Sequence, residues 1–409
     1  MGESLVENDP QYSEGSRTII YLIIFACFFF FFEPSCIGDP VNTGDIIGYL
    51  HPFYKYLRII PLLISIFLVT RIGLPSKVFL LVILYSLIIL FSSILNGNFD
   101  SNLIVTFFYT FCICSFTEYF VSKGYLPVFC NAVSFFLFLL VIINFFSIIL
   151  FPEGYVNERG WPYNYFLGYK NDHIVIFLPA LFFSGVKGFL EPDSSRKTLY
   201  VVLFVVLMSC FLNRSTTALA VTGFLGLLIL FAVNKNIPKW LNLRFAFVLG
   251  TIISIIFISL VLGDLLSDFT SAASEMTEKE GDTIESRALI WIDALQLFWN
   301  SPFLGNGFVT FLTDSLFEYG QAHNQYLDVV VVGGIFLLLV FFVIISILSQ
   351  RLRILDNRRL ANLVFFVFCA YFMEFILEGR RNNYLFYVIM IFTYHLPTYF
   401  EMSRGHGDE

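Results

Sequence analysis

Three segments, Glu285-Ser-Arg-Ala-Leu-Ile-Trp291, Ser301-Pro-Phe-Leu-Gly-Asn-Gly307 and Ala322-His-Asn-Gln-Tyr-Leu-Asp328, lie in or at the edge of one stretch of mixed polarity, Asp264 to Asn324. On both sides of it the chain runs into long blocks of Phe, Ile, Leu and Val. The contrast sets the fold class, because apolar blocks of about 20 residues are what a bilayer core requires of a helix. A polar stretch that interrupts them must sit outside the hydrocarbon.

Composition agrees with that contrast. The chain is 57% hydrophobic and 13% charged, whereas a soluble domain carries about 25% charged residues. The net charge of −7 leaves no basic face of the kind a nucleic acid needs, so no nucleic-acid partner is expected. Most of the seven cysteines fall inside apolar runs, and beyond Cys112-x-Cys114 none has metal-like spacing. They read as packing residues, with no metal site among them. Residues Met1 to Ser16 are polar and acidic and lack a signal peptide's basic start and cleavage site, so the first apolar run is expected to remain as an anchor.

Apolar runs near 18–33, 57–73, 77–95, 102–121, 126–151, 172–190, 198–213, 215–233, 243–263, 325–349, 360–377 and 383–400 predict about 12 transmembrane helices. An all-α, polytopic membrane protein follows, because an open sheet edge cannot satisfy its backbone groups in lipid. The expected division is a bundle of about nine helices over 1–263, a large extracytoplasmic loop over 264–324, and about three helices with a cytoplasmic tail over 325–409. Lysine and arginine counts fix the direction: with a cytoplasmic N-terminus, 15 of the 24 fall in the inner connectors, as the positive-inside rule asks. Arg214, Arg287, Arg380 and Arg381 then fall on the outer side, at or near span ends. Two readings are open for them: arginines that snorkel to the interface, or a cluster that binds an anionic headgroup through planar, charge-assisted forks.

The outer connectors differ in content. Glu33 to His51 has turn formers and no constellation, and reads as a surface loop. Phe151 to His173 mixes aromatics with Glu158, Arg159 and Asn164, which suits an interfacial belt or stacking on sugar rings. Its Gly168-Tyr-Lys-Asn171 turn places Lys170 at the outer mouth of a span, within reach of an anion. Asn213-Arg214-Ser-Thr-Thr217 puts an arginine between two spans with almost no loop, where a charge costs several kcal/mol unless paired or hydrated.

Within the long loop, Asp268 to Glu285 is acidic and reads as a solvated face or mobile lid. Thr283 to Asn300 predicts an amphipathic helix. On it Arg287, Trp291, Ala294 and Phe298 share an apolar face, so Arg287 requires an anionic partner, a carboxylate or a phosphate. Pro302 and Gly305-Asn-Gly307 end this helix in a turn expected to expose backbone N–H groups. His323 opens the next span, where the helix dipole disfavours the charged ring. A neutral imidazole there suits a hydrogen-bonding cap or a general base.

Together, Arg287-x-x-x-Trp291, Pro302-Phe-Leu-Gly-x-Gly307 and His323-Asn-x-Tyr-Leu327 followed by Gly333-Gly-Ile335 resemble the shared region of O-antigen polymerases and O-antigen ligases. Arg214-Ser-Thr-Thr217 resembles their upstream arginine motif, and Gly168-Tyr-Lys-Asn171 a glycine–asparagine motif before a span. The resemblance implies a metal-independent, cofactor-free membrane glycosyltransferase in the bacterial cytoplasmic membrane, working on its extracytoplasmic (periplasmic) face on undecaprenyl-diphosphate-linked oligosaccharide. It further implies that Arg214 and Arg287 bind the donor diphosphate and that His323 activates the acceptor hydroxyl. Lys170, Arg159, Asn324, Tyr326, Trp291, Arg380 and Arg381 are the expected substrate contacts. Membrane lipids, a chain-length regulator and a flippase are the expected partners. A polymerase is the leading expectation, with the ligase as runner-up. A non-enzymatic transporter of lipid-linked sugars fits less well, since the spans are nearly free of charge and the ionisable residues gather at one face.

Overall fold

A computed structural model describes residues 14–38, 50–155, 163–190, 197–263, 284–309, 311–312, 318–319, 321–380 and 383–405. Arg159, Arg381, Asp45 and most of the acidic stretch between Asp268 and Glu285 lie outside them.

The described chain is built of helices: α1 (Glu14–Phe31), α2 (Ser35–Gly38), α3 (Leu50–Leu57), α4 (Ile59–Val69), α5 (Lys77–Leu95), α6 (Ser101–Ser122), α7 (Leu126–Leu150), α8 (Ile174–Leu190), α9 (Lys197–Leu212), α10 (Thr216–Phe231), α11 (Leu243–Leu262), α12 (Ile284–Asn300), α13 (Gln325–Arg353), α14 (Arg358–Leu377) and α15 (Tyr384–Gly405). Two antiparallel two-residue pairs join them, β1 (Asn164–Tyr165) with β2 (Gly168–Tyr169) and β3 (Phe311–Leu312) with β4 (Glu318–Tyr319). Among the described residues seven helices are long and apolar enough to cross a membrane, with α3 and α4 counting as one. α8, α9 and α10 are shorter apolar helices, as is Gly15–Phe31 within α1. The protein is therefore an all-α, multi-pass integral membrane protein. The apolar run expected at 57–73 starts earlier, at Leu50, and is interrupted at Arg58.

Helix starts follow from local chemistry. Ser76, Asp100, Asn242, Asn324 and Asn357 each accept a backbone N–H from the first turn of the helix that follows, which satisfies donors that a helix start leaves orphaned. Packing then separates an interior from a lipid-facing rim. Phe129, Phe182 and Phe183 surround Phe392, with ring centroids 5.3–6.1 Å away. Ile252, Ile253, Ile255 and Ile256 of α11 point outward. Such a rim costs little against acyl chains, and the interior gains dispersion contacts.

α13 is broken where it matters. Gly334 has φ 65° and ψ −167°, outside helical values, and the break strips the Val331 and Val332 carbonyls of their partners. The turn after α12 fills the gap: Asn306 N–H donates to Val331 O at 2.8 Å and Gly307 N–H to Val332 O at 2.9 Å, while Ile335 N–H donates to Pro302 O at 2.9 Å. The sequence expectation that this turn exposes its N–H groups is thus corrected, because orphaned carbonyls of the kinked helix take them. Only glycine fits at the junction. A Cβ on Gly305 would meet Val332 C and O at 2.4 Å, and one on Gly334 would meet Phe303 C and O at 2.2 Å. Asn96 and Asn98, just past α5, donate to Gly305 O and Asn306 O, so the turn also ties α5 to α13.

Candidate functional site

The polar residues collect at the end of the bundle where α12 docks. α12 rests its Ile290, Trp291 and Ala294 on Ile258 and Val261 of α11 and on Leu327 and Val331 of α13. Trp291 is fully buried and donates its Nε1–H to Ala322 O at 2.8 Å. That contact fixes the residue before His323.

Arg287 lies one turn before Trp291 on the same face, and its expected anionic partner is Glu378, the cap of α14. Arg287 Nη2 donates to Glu378 Oε1 at 3.2 Å and Nη1 to Leu377 O at 3.0 Å. His323 Nδ1 meets the other carboxylate oxygen, Oε2, at 3.0 Å. One carboxylate therefore holds both residues that the motifs single out. Burial alone would raise the Glu378 carboxyl, but the His323 hydrogen bond and the charges of Arg380 and Arg287 hold it down at about 2. It stays an anion and an acceptor.

His323 sits at φ +48°, and Arg214 at φ +54°. Left-handed backbone is costly for a side chain with a Cβ, and it persists where surrounding contacts over-determine it. Among the described residues three non-glycine positions have it; Tyr163 is the third. For His323 the frame is Asn324, which is fully buried. Its Oδ1 caps Leu327 N–H at 3.0 Å, and its Nδ2 donates to Ser254 Oγ at 2.8 Å and Ile376 O at 3.0 Å. Three helices are thereby pinned around one residue.

Arg380 extends the cluster. Its Nη1 donates to Asp172 Oδ1 at 2.6 Å, its Nη2 to Asn171 O at 3.0 Å, and its Nε lies 3.4 Å from Glu374 Oε1. Its backbone N–H donates to Gln325 Oε1. The asparagine of the Gly168–Asn171 turn in turn accepts from Ser215 Oγ at 2.9 Å, beside Arg214. A continuous set of contacts thus runs from the Arg214 turn through Asn171 and Asp172 to Arg380, and through Gln325, two residues on from His323, to the Arg287–Glu378–His323 group.

The remaining expected residues take varied places. Arg214 is exposed at its turn, open to an anion. Lys170 is buried with its ammonium 4.4 Å above the Tyr163 ring, a cation–π position. Tyr326 is buried among Phe247 and Phe375. Trp291, Asn324 and Tyr326 are therefore turned into the frame of the site. Sequence reasoning assigned no role to Glu378, Glu374 or Asp172, nor to Ser215 beyond its place in the Arg214 motif. One signal was available: Glu374 and Glu378, the first in the last helical turn and the second at its cap, stand four apart at the end of an otherwise apolar span, beside two arginines. Nor did it pair His51 and Arg58 with Glu33, which binds both at 2.8 and 2.7 Å.

Fold and site define a multi-pass membrane protein with a buried carboxylate that organises cations and a histidine at one end of the bundle. Residues 201–342 match the family model described as O-antigen ligase, and this segment contains Arg214, Arg287 and His323. The match agrees with the O-antigen polymerase and ligase superfamily that the chain's motifs resemble. Comparison with curated proteins and with solved structures gave no match.

Proposed function

We propose that the protein is a polysaccharide polymerase of the O-antigen or capsule type. It transfers a growing glycan from undecaprenyl diphosphate onto a lipid-linked repeat unit at the extracytoplasmic face of the bacterial cytoplasmic membrane. The observation that carries the reading is the shared carboxylate: Glu378 orients His323 through Nδ1 and steadies Arg287 at the same time. With Nδ1 turned to Glu378, Nε2 is the nitrogen that takes the proton of the acceptor hydroxyl as its oxygen attacks the anomeric carbon. The bond from that carbon to the diphosphate oxygen breaks, and the configuration inverts. Charge grows on the departing diphosphate, and fixed cations lower the barrier there more than they stabilise the bound substrate.

Arg287 spends one donor on Leu377 and one on Glu378, and a guanidinium has five, so its fork keeps capacity for a phosphate. Arg214, exposed at its strained turn, supplies the second cation. Arg380 and Lys170 serve the phosphate and glycan beside this centre, Arg159 and Arg381, outside the described residues, are further candidate contacts, and Trp291, Asn324 and Tyr326 support it from within. In this reading about 12 apolar helices cross the membrane, residues 264–324 lie outside, and no metal takes part. A chain-length regulator and a flippase are the expected partners.

The description of the matching family favours a second reading, a ligase that moves the finished glycan to lipid A-core. Gene deletion separates the two. Loss of a polymerase leaves single repeat units on their usual carrier, and loss of a ligase leaves long chains on the lipid carrier. Purified protein that elongates a synthetic lipid-diphosphate repeat in chelator tests the metal-free chemistry. Long-chain synthesis that survives His323→Ala and Arg287→Ala would sink the site.

A further inference from the structure

We propose that His173 is a positioning residue for Arg214, acting as an obligatory Nε2–H imidazole that clamps the Arg214 turn to the rest of the site. The proposal rests on the reading that Arg214 meets the lipid diphosphate. It concerns a histidine that the chemistry above does not use.

His173 is fully buried at the start of α8. Its Nδ1 lies 3.3 Å from Asn144 Nδ2 and 3.1 Å from Asn213 Nδ2, and its Nε2 lies 3.0 Å from Gly168 O. Both amides have fixed orientations. Asn144 Oδ1 accepts Leu167 N–H at 3.0 Å, and Asn213 Oδ1 accepts Ser215 N–H at 3.0 Å. Each asparagine therefore turns its NH2 toward the imidazole, and Nδ1 must be the unprotonated nitrogen, its single lone pair shared between the two donors. The proton must sit on Nε2, where Gly168 O accepts it. A ring protonated at Nδ1 would face two donors with a third. Tyr165 and Phe177 enclose the ring at centroid distances of 5.7 and 5.6 Å, so it has little room to turn.

The consequence falls on Arg214. Asn213 reaches across Arg214 to Ser215 with one side-chain atom and back to His173 with the other. Ser215 Oγ donates to Asn171 Oδ1 at 2.9 Å. Both neighbours of Arg214 are thus anchored to the Gly168–His173 turn, whose Asn171 and Asp172 also hold Arg380. The end of α9 sets the left-handed backbone of Arg214, with Ser215 N–H also donating to Cys210 O at 3.1 Å, and this double anchor holds it in place. Without it the turn relaxes and the guanidinium leaves the diphosphate.

The test combines a spectroscopic measurement with a mutant cycle. In full-length protein labelled with 15N-histidine, the His173 ring, assigned by its loss in His173→Gln, shows the Nε2–H tautomer at neutral pH. An Nδ1–H or doubly protonated ring overturns the proposal, whatever the variants do. His173→Phe keeps the ring and removes every hydrogen bond. It lowers kcat for transfer by roughly 10- to 100-fold, as expected for a misplaced catalytic cation, while His173→Gln, which retains an acceptor and a donor, recovers most of the activity. In an Arg214→Lys background His173→Phe costs at most about threefold, because residues that act through one another are non-additive. A full multiplicative loss, in protein that still elutes as a folded monodisperse species, overturns the positioning role alone. Full transfer by Arg214→Ala overturns the reading of Arg214 itself, and this proposal with it.

Discussion

The two ends of the bundle each hold a histidine–glutamate pair, and the pairs differ in what surrounds them. At one end His323 Nδ1 stands 3.0 Å from Glu378; at the other His395 Nε2 stands 3.2 Å from Glu118. Glu118 is fully buried, and it spends its oxygens on Ser76 N–H at 2.7 Å and Ser76 Oγ at 2.8 Å. It anchors the N-cap residue of α5, and His395 only closes the shell. Glu378 holds an arginine on a docked amphipathic helix and a histidine on left-handed backbone. The comparison teaches that the pair is not the signature. What marks a site is a carboxylate whose partners are costly to hold and are aimed at a common space; a carboxylate whose partners are backbone and hydroxyl donors of a helix start marks architecture.

The sharpest way to break this contrast is to truncate both histidines. His323→Ala and Arg287→Ala each lower glycan transfer by about 10²- to 10³-fold, whereas His395→Ala leaves transfer by folded protein within about threefold, measured as turnover of a lipid-diphosphate repeat. Equal losses at the two ends would end the distinction. Next in size is Glu378→Gln, which keeps shape and removes the charge that orients His323. A loss of roughly 10- to 100-fold, mostly in kcat, is expected; a change confined to KM would instead make Glu378 a binding residue.

Glu118→Ala sharpens the other half. It strands buried donors at the start of α5 and costs about 1–3 kcal/mol of stability, read as a lower thermal midpoint with unchanged turnover per folded molecule. The smallest effect is one of pH. The Glu378 carboxyl is lowered from 4.5 to about 2 in the folded protein. Its share of stability is complete above about pH 4.5 and is lost as pH falls through about 2. The thermal-midpoint difference between wild type and Glu378→Gln is therefore flat above pH 4.5 and shrinks below it. A difference that changes between pH 6 and 8 would place the titrating group elsewhere.

How much of this was legible in the chain varies by element. The apolar runs announce the helices because lipid leaves the backbone no other economy of hydrogen bonds. The inward face of Arg287 follows from helical spacing with Trp291 and Ala294, and its need for an anion follows from that face. The identity of the anion did not. Glu378 lies 91 residues from Arg287, and only packing of α12 over α11 and α13 brings them together. The role of the Gly305–Gly307 turn is hidden in the sequence for a related reason. A turn with free N–H groups and a turn whose N–H groups mend a broken helix look alike in sequence, since the difference lies in Gly334 of another element.

By itself the sequence determined a helical membrane protein, a polar stretch carrying an arginine and a histidine, and motifs that resemble those of one superfamily. Those depend on spacing along one chain, which local periodicity and hydrophobicity encode. The tertiary structure alone decided that Arg287 and His323 share Glu378, that Arg380 bridges Asp172 and Glu374, and that His173 is locked among two asparagines. Apart from the Arg380–Glu374 pair, these are contacts between residues far apart in sequence. Their energies depend on burial and on distances of a few ångströms, which no pattern along a chain contains.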